Sequence, residues 1–137
     1  MRIVLDTNVL LVALPIQSPF HQIFKFIRDG RIDLYVTNEI LAEYEEKLGE
    51  RYGAQITDFK IQEITRLKNV HFKSVYYQWQ LIEADPDDNK FADCAIATNA
   101  DYLVTNDGHF KILKTIQYPK VVTIRAEEFL KILSDLS

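Results

Sequence analysis

The sequence has little of what marks secreted and membrane proteins. Its 137 residues include one cysteine, Cys94, so no internal disulfide can form, and we expect a reducing, cytoplasmic environment. No apolar run approaches the ~18 residues that a membrane span needs. The N-terminus reaches an acid, Asp6, after three apolar residues, whereas a secretory signal needs roughly 7–15. We therefore expect neither a signal peptide nor a membrane partner.

Motifs for nucleotide and zinc binding are missing as well. The chain contains neither a GxxxxGK[ST] loop nor a GxGxxG loop, which weakens the case for nucleotide-binding folds of those kinds. Cysteine and histidine residues do not occur at zinc-site spacing. No linker rich in Pro, Gly or Ser interrupts the chain, and no internal repeat is present. We therefore predict a single domain over residues 1–137.

The charge balance is mildly acidic. The net charge is −4, from 20 acidic and 16 basic residues, which argues weakly against an extended basic surface for nucleic acid. If four acids belong to one metal site, the remaining 16 acids balance the 16 bases. A neutral body with a local anionic pocket fits a metal-dependent nuclease, because the metal supplies the positive charge that faces the phosphate.

Short apolar strands alternate with amphipathic helices along the chain. The predicted strands span residues 3–5, 34–36, 70–75, 102–105 and 121–124. Five helices are predicted. The first starts at Ser18-Pro19 and ends at Gly30, the second starts at Thr37 or Asn38, and the third is capped by Thr57. The fourth spans about residues 90–98, and the fifth follows the last strand, with Phe129 to Leu133 on its apolar face. This alternation predicts an α/β fold with a parallel sheet that is covered on both faces.

Two acids directly follow predicted strands. Asp6 follows the first strand and Asp107 follows the fourth. Ligands of parallel sheets bind beyond the carboxyl ends of the strands, although each acid alone is also explained as a helix N-cap or a turn residue. Carboxylates placed side by side repel each other, and a hard divalent cation such as Mg²⁺ resolves that conflict.

The choice of further acids stays open at the level of residue pattern. Asp88, before the helix at 90–98, serves equally well as a cap, and Asp93 lies five residues later. Glu43 falls at the edge of the apolar face of its helix, and periodicity does not select it over neighbouring glutamates. If the acids converge, a metal-bound water can attack a phosphodiester without a side-chain nucleophile. Accordingly, we expect Cys94 in the core and His109 in a solvated loop.

Several segments of the sequence resemble those of the PIN-domain ribonuclease family. The matching segments are the strand and D-T-N of Ile3–Leu10, the helix start of Glu39–Tyr44, the acidic turn and helix of Asp85–Ala95, the T-x-D of Leu103–Asp107, and the last strand and helix of Val122–Leu130. They cover essentially the whole chain in the family's order. Within that family, the segments resemble those of the VapC-like toxins of toxin–antitoxin pairs.

This resemblance implies a Rossmann-like three-layer α/β/α sandwich with a central parallel sheet. It implies an endoribonuclease dependent on Mg²⁺ or Mn²⁺, an RNA substrate, a small antitoxin partner and a homodimer. Carried over by position, the catalytic and metal-binding acids are Asp6, Glu43, Asp88 and Asp107, with Asp93 as an additional candidate acid and Thr7, Asn8 and Thr105 as supporting residues. The loop after Thr105 departs from the family pattern at Asn106 and at Gly108–Phe110, so its substrate contacts are not predicted.

Two other functions stay open at this stage. A non-catalytic PIN domain that binds RNA or acts as a scaffold would share these segments, but it is expected to have lost some of the acids. A phosphatase of the haloacid dehalogenase type also begins with an apolar strand and an acid. Its chemistry needs a second Asp two residues later, and this chain has Asn8 there.

Overall fold

A five-stranded parallel sheet forms the centre of the protein. The computed structural model describes residues 1–136. The strands are β1 (Arg2–Leu5), β2 (Asp33–Val36), β3 (Val70–Phe72), β4 (Tyr102–Val104) and β5 (Thr123–Ile124). They are arranged in the order β3-β2-β1-β4-β5, and every pairing is parallel. The chain thus runs from β1 through β2 to β3 at one edge and then crosses back to β4 and β5 on the other side of β1. The strand order reverses between β1 and β4, and ligands of such sheets bind at the ends of the strands that flank this point.

Helices cover both faces of the sheet, which confirms the predicted α/β/α sandwich. The α-helices are α1 (Thr7–Ala13), α2 (His21–Arg28), α3 (Asn38–Tyr52), α4 (Ala54–Thr65), α5 (Asn89–Ala97) and α6 (Ala126–Leu136), and two 3₁₀ helices span Pro86–Asp88 and Gly108–Thr115. No helix within residues 1–136 is long and apolar enough to cross a membrane.

The central strand is apolar after its exposed first residue, Arg2, because the rest of it is buried on both sides. Ile3, Val4 and Leu5 are fully inaccessible to solvent. A half-exposed strand would alternate polar and apolar residues, so this continuous run is typical of a parallel sheet covered on both faces. Phenylalanines from the surrounding helices complete the core, among them Phe24 of α2 and Phe129 of α6.

Helix ends agree with the sequence in three places. Thr37 caps α3, because its Oγ1 accepts a hydrogen bond from Ile40 N at 3.1 Å. Gly30 follows α2 with φ of +76°, a conformation that favours glycine. The helix predicted at about 90–98 is α5, shifted by one residue.

Two predicted helix caps are wrong, one by two residues and the other by four. The helix placed after Ser18 begins at His21, because residues 18–20 form a turn in which Ser18 O accepts from His21 N. Thr57 lies inside α4, not at its cap. Its hydroxyl donates to Gly53 O at 2.7 Å, one helical turn back, so the helix starts directly after Gly53.

Helix α1 was not predicted, since its first residues, Thr7 and Asn8, suggested a tight turn. The helix has seven residues, and most of those from Val9 to Ala13 are buried. A helix that is apolar on nearly every side has no amphipathic period, so the pattern that identifies surface helices is absent. The 3₁₀ helix at Gly108–Thr115 was missed as well.

The third strand is shorter than predicted. It was expected over residues 70–75 but ends at Phe72, which is 48% exposed. Its neighbour β2 ends at Val36, whose carbonyl accepts a last hydrogen bond from Lys73 N at 2.9 Å. Beyond that point the chain of β2 has turned into α3, so residues 73–83 leave the sheet as an irregular segment. The strands predicted at 102–105 and 121–124 are also trimmed, to β4 and β5.

Tyr44 joins α3 to the central strand. Its ring is fully buried, and its hydroxyl donates to Leu5 O at 2.6 Å. Burial raises the pKa of this phenol well above its ordinary value, so it stays protonated and able to donate. The bond ends one residue before Asp6 and therefore fixes the chain at that position.

We expect Tyr44→Phe to lower the free energy of unfolding by about 1–2 kcal/mol, because it removes one buried hydrogen bond and leaves the carbonyl of Leu5 without it. Urea denaturation followed by circular dichroism measures the change. The matched control is Tyr76→Phe, since Tyr76 is 93% exposed, and it should change stability by less than about 0.5 kcal/mol. Equal effects of the two substitutions would contradict the prediction.

Candidate metal centre

Acids from four segments approach one another at the carboxyl end of the sheet. Asp6 directly follows β1, and Asp107 follows β4 by three residues. Because Leu5 pairs with Val104 in parallel register, these two strand ends lie side by side. Asp88 ends the 3₁₀ helix Pro86–Asp88 directly before α5, and Glu43 lies in α3. The sheet topology thus brings together residues that are up to 101 positions apart.

A single hydroxyl links Asp6 to Asp107. Thr105 is buried, and its Oγ1 donates to Asp6 Oδ2 at 2.8 Å. The same Oγ1 accepts from Asp107 N at 3.0 Å. Thr105 therefore holds the side chain of one acid and the backbone of the other.

Asp6 is buried beside other negative charges. It is 5% exposed, and burial is the main reason why its pKa is raised above the ordinary value. Hydrogen bonds from Thr105 and from the backbone of Thr7 lower the pKa in part, whereas the nearby charges of Asp107 and Glu43 raise it further. The protein alone therefore disfavours ionisation of this group.

Glu43 is held on both sides. Thr7 Oγ1 donates to Glu43 Oε2, and Lys90 Nζ lies 2.7 Å from Glu43 Oε1. The lysine side chain is only 14% exposed, and its ammonium also donates to Asp87 O at 2.7 Å. Sequence reasoning missed Lys90. The available signal was its place in the first turn of a helix, where the dipole disfavours a cation unless an acid compensates.

Asp88 has a buried oxygen without a hydrogen-bond partner. Within residues 1–136, Oδ2 of this residue is the buried side-chain atom that no donor reaches. Its pKa is raised to about 7, first by burial and then by the charges of Asp85, Asp6 and Asp107, with partial compensation from His109. Asp88 therefore lies within electrostatic range of the acids at both strand ends.

The capping role that the sequence left open for Asp88 falls to another residue. Asp85 Oδ1 accepts from Asp87 N at 3.2 Å and caps the short 3₁₀ helix, whereas Asp88 makes no side-chain cap bond. The carboxylate of Asp88 is thus available for another ligand.

His109 lies among three carboxylates. Its Nδ1 is 3.5 Å from Asp107 Oδ1, 3.7 Å from Asp88 Oδ2 and 3.9 Å from Asp85 Oδ2. Ligand atoms of Asp85, Asp88 and His109 all lie within 4.8 Å of one another, so this group could also hold a cation. Sequence reasoning placed His109 in a solvated loop; its side chain is half exposed, but the residue lies in the 3₁₀ helix Gly108–Thr115. It did not single out Asp85, because an Asp before Pro is common in turns.

Asp93 and Asn8 lie apart from these contacts. Asp93 is 7% exposed, and its Oδ1 accepts from Trp79 N at 3.2 Å. Its pKa is raised mainly by burial and also by Glu39, with no contribution from the acids at the strand ends. Asn8 is exposed on α1. Cys94 is buried, and burial raises the pKa of its thiol to about 12, which confirms the prediction of a core residue.

The chemistry of this donor set fits a hard divalent cation. Asp6, Glu43, Asp88 and Asp107 offer carboxylate oxygens, the ligands that Mg²⁺ and Mn²⁺ prefer. A cation would give Asp88 Oδ2 the partner that it lacks and would offset the repulsion that raises the pKa of Asp6. The arrangement can therefore support metal-assisted hydrolysis of a phosphate ester.

Known proteins share both the sequence pattern and the fold. A family model described as PIN domain matches residues 2–109, and no curated protein matches the chain. VapBC2 from Rickettsia felis, solved with a DNA fragment from its promoter, is 20% identical with a TM-score of 0.65, over 91% of this chain and 98% of that chain. DNA-bound VapBC from Salmonella typhimurium is 15% identical with a TM-score of 0.62, over 92% and 98%.

A third similar structure is VapC20 from Mycobacterium tuberculosis, described as a sarcin-ricin loop cleaving toxin. It is 13% identical with a TM-score of 0.56, over 82% of this chain and 94% of that chain. At such identities the likeness is one of fold. The family model, in contrast, matches on sequence over most of the chain, including Asp6, Glu43, Asp88 and Asp107. The chain belongs to the PIN domain family.

Proposed function

We propose that this protein is an endoribonuclease dependent on Mg²⁺ or Mn²⁺, in which Asp6, Glu43, Asp88 and Asp107 hold one or two cations. The observation that carries the proposal is the buried Oδ2 of Asp88, which has no hydrogen-bond partner and lies in range of Asp6 and Asp107. Buried polar atoms are nearly always paired, so an unpaired carboxylate oxygen among other acids indicates a site for a cation.

The chain's own residues prepare the site for that cation. When bound, the metal would activate a water molecule and stabilise the charge that develops on the phosphate. Thr105 and Thr7 orient Asp6 and Glu43 by hydrogen bonds. Lys90 offsets one negative charge at Glu43, and His109 adds a donor at the rim. Preorganised partners of this kind fix the orientation of ligands and tune the metal.

RNA is the proposed substrate and an antitoxin the proposed partner. Two structures of the same fold are VapBC complexes, and one is described as a toxin that cleaves the sarcin-ricin loop. These likenesses support a toxin that acts on RNA and is inhibited by a small antitoxin. The homodimer and the cytoplasmic location are proposed from the resemblance and the sequence composition alone. We also propose that residues 1–137 constitute one domain.

The two alternatives are less well supported. A phosphatase of the haloacid dehalogenase type needs a second Asp at the position of Asn8, which is exposed here. A non-catalytic scaffold has no need to retain four acids within electrostatic range of one another. It also has no need for the unpaired carboxylate oxygen of Asp88, a residue whose pKa is raised by burial.

We expect Asp6→Asn to lower Mn²⁺-dependent cleavage of RNA by more than about 100-fold. Loss of a residue that only hydrogen-bonds to a metal ligand already lowers metal affinity or activity about 10–100-fold, and loss of a ligand itself should cost more. The fold should persist, since Asn is isosteric and still accepts from Thr105. A random-sequence single-stranded RNA labelled with fluorescein serves as substrate, and calorimetry measures Mn²⁺ binding. The control is Asp58→Asn on the exposed surface of α4.

Several results would contradict the proposal. Full cleavage by the Asp6→Asn protein would remove this acid from the site. Absence of both cleavage and Mn²⁺ binding in the unmodified protein would favour the scaffold. Hydrolysis of p-nitrophenyl phosphate that is lost with Asp6→Asn would indicate a phosphatase.

We expect Asp88→Asn to stabilise the metal-free protein at neutral and higher pH. The pKa of Asp88 is about 7 in the folded state against an ordinary value of 3.8. The folded state therefore binds the proton more tightly, and the free energy of unfolding falls as pH rises from the lower value to the upper one. Removing the charge should restore about 1–2 kcal/mol above pH 7 and nothing near pH 4.

Thermal unfolding in the presence of a chelator, at both pH values, measures this effect. With Mn²⁺ added, the order should reverse, because the variant loses a ligand and gains less stability from the metal. Asp58→Asn again serves as the control. If the variant is less stable than the unmodified protein at high pH without metal, the charge of Asp88 does not destabilise the metal-free fold.

A further inference from the structure

A polar pocket of about 690 Å³ adjoins the acid cluster. Its walls come from the start of α3, from the irregular segment 73–83 and from the start of α5. Lys90 lines the pocket, and its ammonium contacts Glu43 at 2.7 Å. Asp87, the neighbour of Asp88, lines it too. A chain bound across the acids would therefore have its next residue beside this pocket.

Segment 73–83 is fixed in place by α5. Asn89 Oδ1 accepts from Ile82 N at 2.8 Å, and Asn89 Nδ2 donates to Ile82 O at 3.1 Å. Asp93 accepts from Trp79 N one helical turn further along. Two attachment points hold a segment that pairs with no strand, so the pocket wall is built into the fold.

Asp93 is the most deeply buried acid of the pocket lining. Among the described residues, its Oδ1 has the Trp79 N–H as donor, whereas Oδ2 receives no hydrogen bond. A carboxylate accepts hydrogen bonds and donates none. The pocket lining thus offers a carboxylate oxygen that is free to accept from a bound molecule, together with the amides of Gln78 and Gln80 and the ammonium of Lys73.

We propose that this pocket binds a nucleotide next to the scissile bond of RNA, and that Asp93 recognises a guanine base. The inference rests on the proposed nuclease function and names the part of the substrate that this chain reads. The resemblance left Asp93 as an additional candidate acid, and its hydrogen bond from Trp79 N and its place in the pocket lining favour this separate role.

The chemistry of the bases favours guanine. Its Watson–Crick edge carries two adjacent donors, N1–H and the N2 amino group, which match the two oxygens of a carboxylate. Adenine, cytosine and uracil each place an acceptor beside their single donor group on that edge, and an acceptor repels a carboxylate. RNA recognition by such contacts to unpaired bases is common.

The charge of the pocket also favours a base over a phosphate in its interior. Four acids line it, namely Glu39, Glu83, Asp87 and Asp93, against the two cations Lys73 and Lys90. A phosphate group would be repelled there, whereas a neutral base with donors would not. The lysines can contact the backbone phosphates on either side, which position an RNA without reading its sequence.

Binding of nucleoside monophosphates to the metal-free protein tests the inference without any catalysis. GMP, AMP, CMP and UMP are titrated separately in chelator, with binding followed by NMR. We expect GMP to bind roughly tenfold more tightly than the other three, the scale of one good bidentate base contact. Asp93→Asn should abolish this preference, since an amide replaces one acceptor by a donor.

The design separates recognition from folding and from nuclease function. Asn at position 93 still offers an oxygen to Trp79 N, so segment 73–83 should stay attached. Glu45→Gln, on the exposed face of α3, is the control and should leave the preference for GMP unchanged. Asp6→Asn should bind GMP like the unmodified protein, which distinguishes failure of the pocket from failure of the metal site.

A second arm uses cleavage of an oligouridine that contains one guanosine. We expect cuts next to the guanosine, and an even distribution of cuts with Asp93→Asn. Equal binding of all four nucleotides, or a preference for GMP that survives Asp93→Asn, would overturn the inference. Binding of N-acetylarginine amide but not GMP would overturn it as well, because it would assign the pocket to a cationic side chain of a protein partner.

Discussion

Repulsion between carboxylates at the ends of β1 and β4 is the constraint on which the rest of the site depends. Parallel register places Asp6 and Asp107 side by side, and the burial of Asp6 raises its pKa. The protein offsets this cost only in part, with hydroxyl donors from Thr7 and Thr105 and one ammonium from Lys90. The negative charge that is left uncompensated lies mainly at Asp88, the acid with an unpaired oxygen. A cation is the simplest group that would remove it.

The sequence was sufficient for the sheet and for the acids that end its strands. β1 and β4 are continuous apolar runs, and a strand buried on both faces needs such a run whatever surrounds it. Once the strands are known, the rule for parallel sheets places the next polar residues at the ligand-binding edge. Asp6 and Asp107 follow from two local patterns and one rule of topology, so no tertiary contact had to be guessed.

The other contacts could not be predicted because they depend on tertiary neighbours. Periodicity left Glu43 equal to the glutamates around it, and only its contacts with Thr7 and Lys90 distinguish it. Helix α1 escaped detection because burial on nearly all sides removes the amphipathic pattern. The early end of β3 follows from the point at which β2 turns into α3, a fact about the partner strand and not about residues 73–75.

Asp88, directly before α5, and Asp93, within α5, show how environment gives different chemistry to the same residue type. Asp93 and the Oδ2 atom of Asp88 are buried, and burial is the first cause of the raised pKa in each residue. Asp88 lies within range of three other acids and has no donor for one oxygen, a situation that favours a cation. Asp93 has one backbone donor and a single acidic neighbour, a situation in which one more donor suffices. Five residues of helix thus separate a position suited to a metal from one suited to a base, and a substrate strand can contact both.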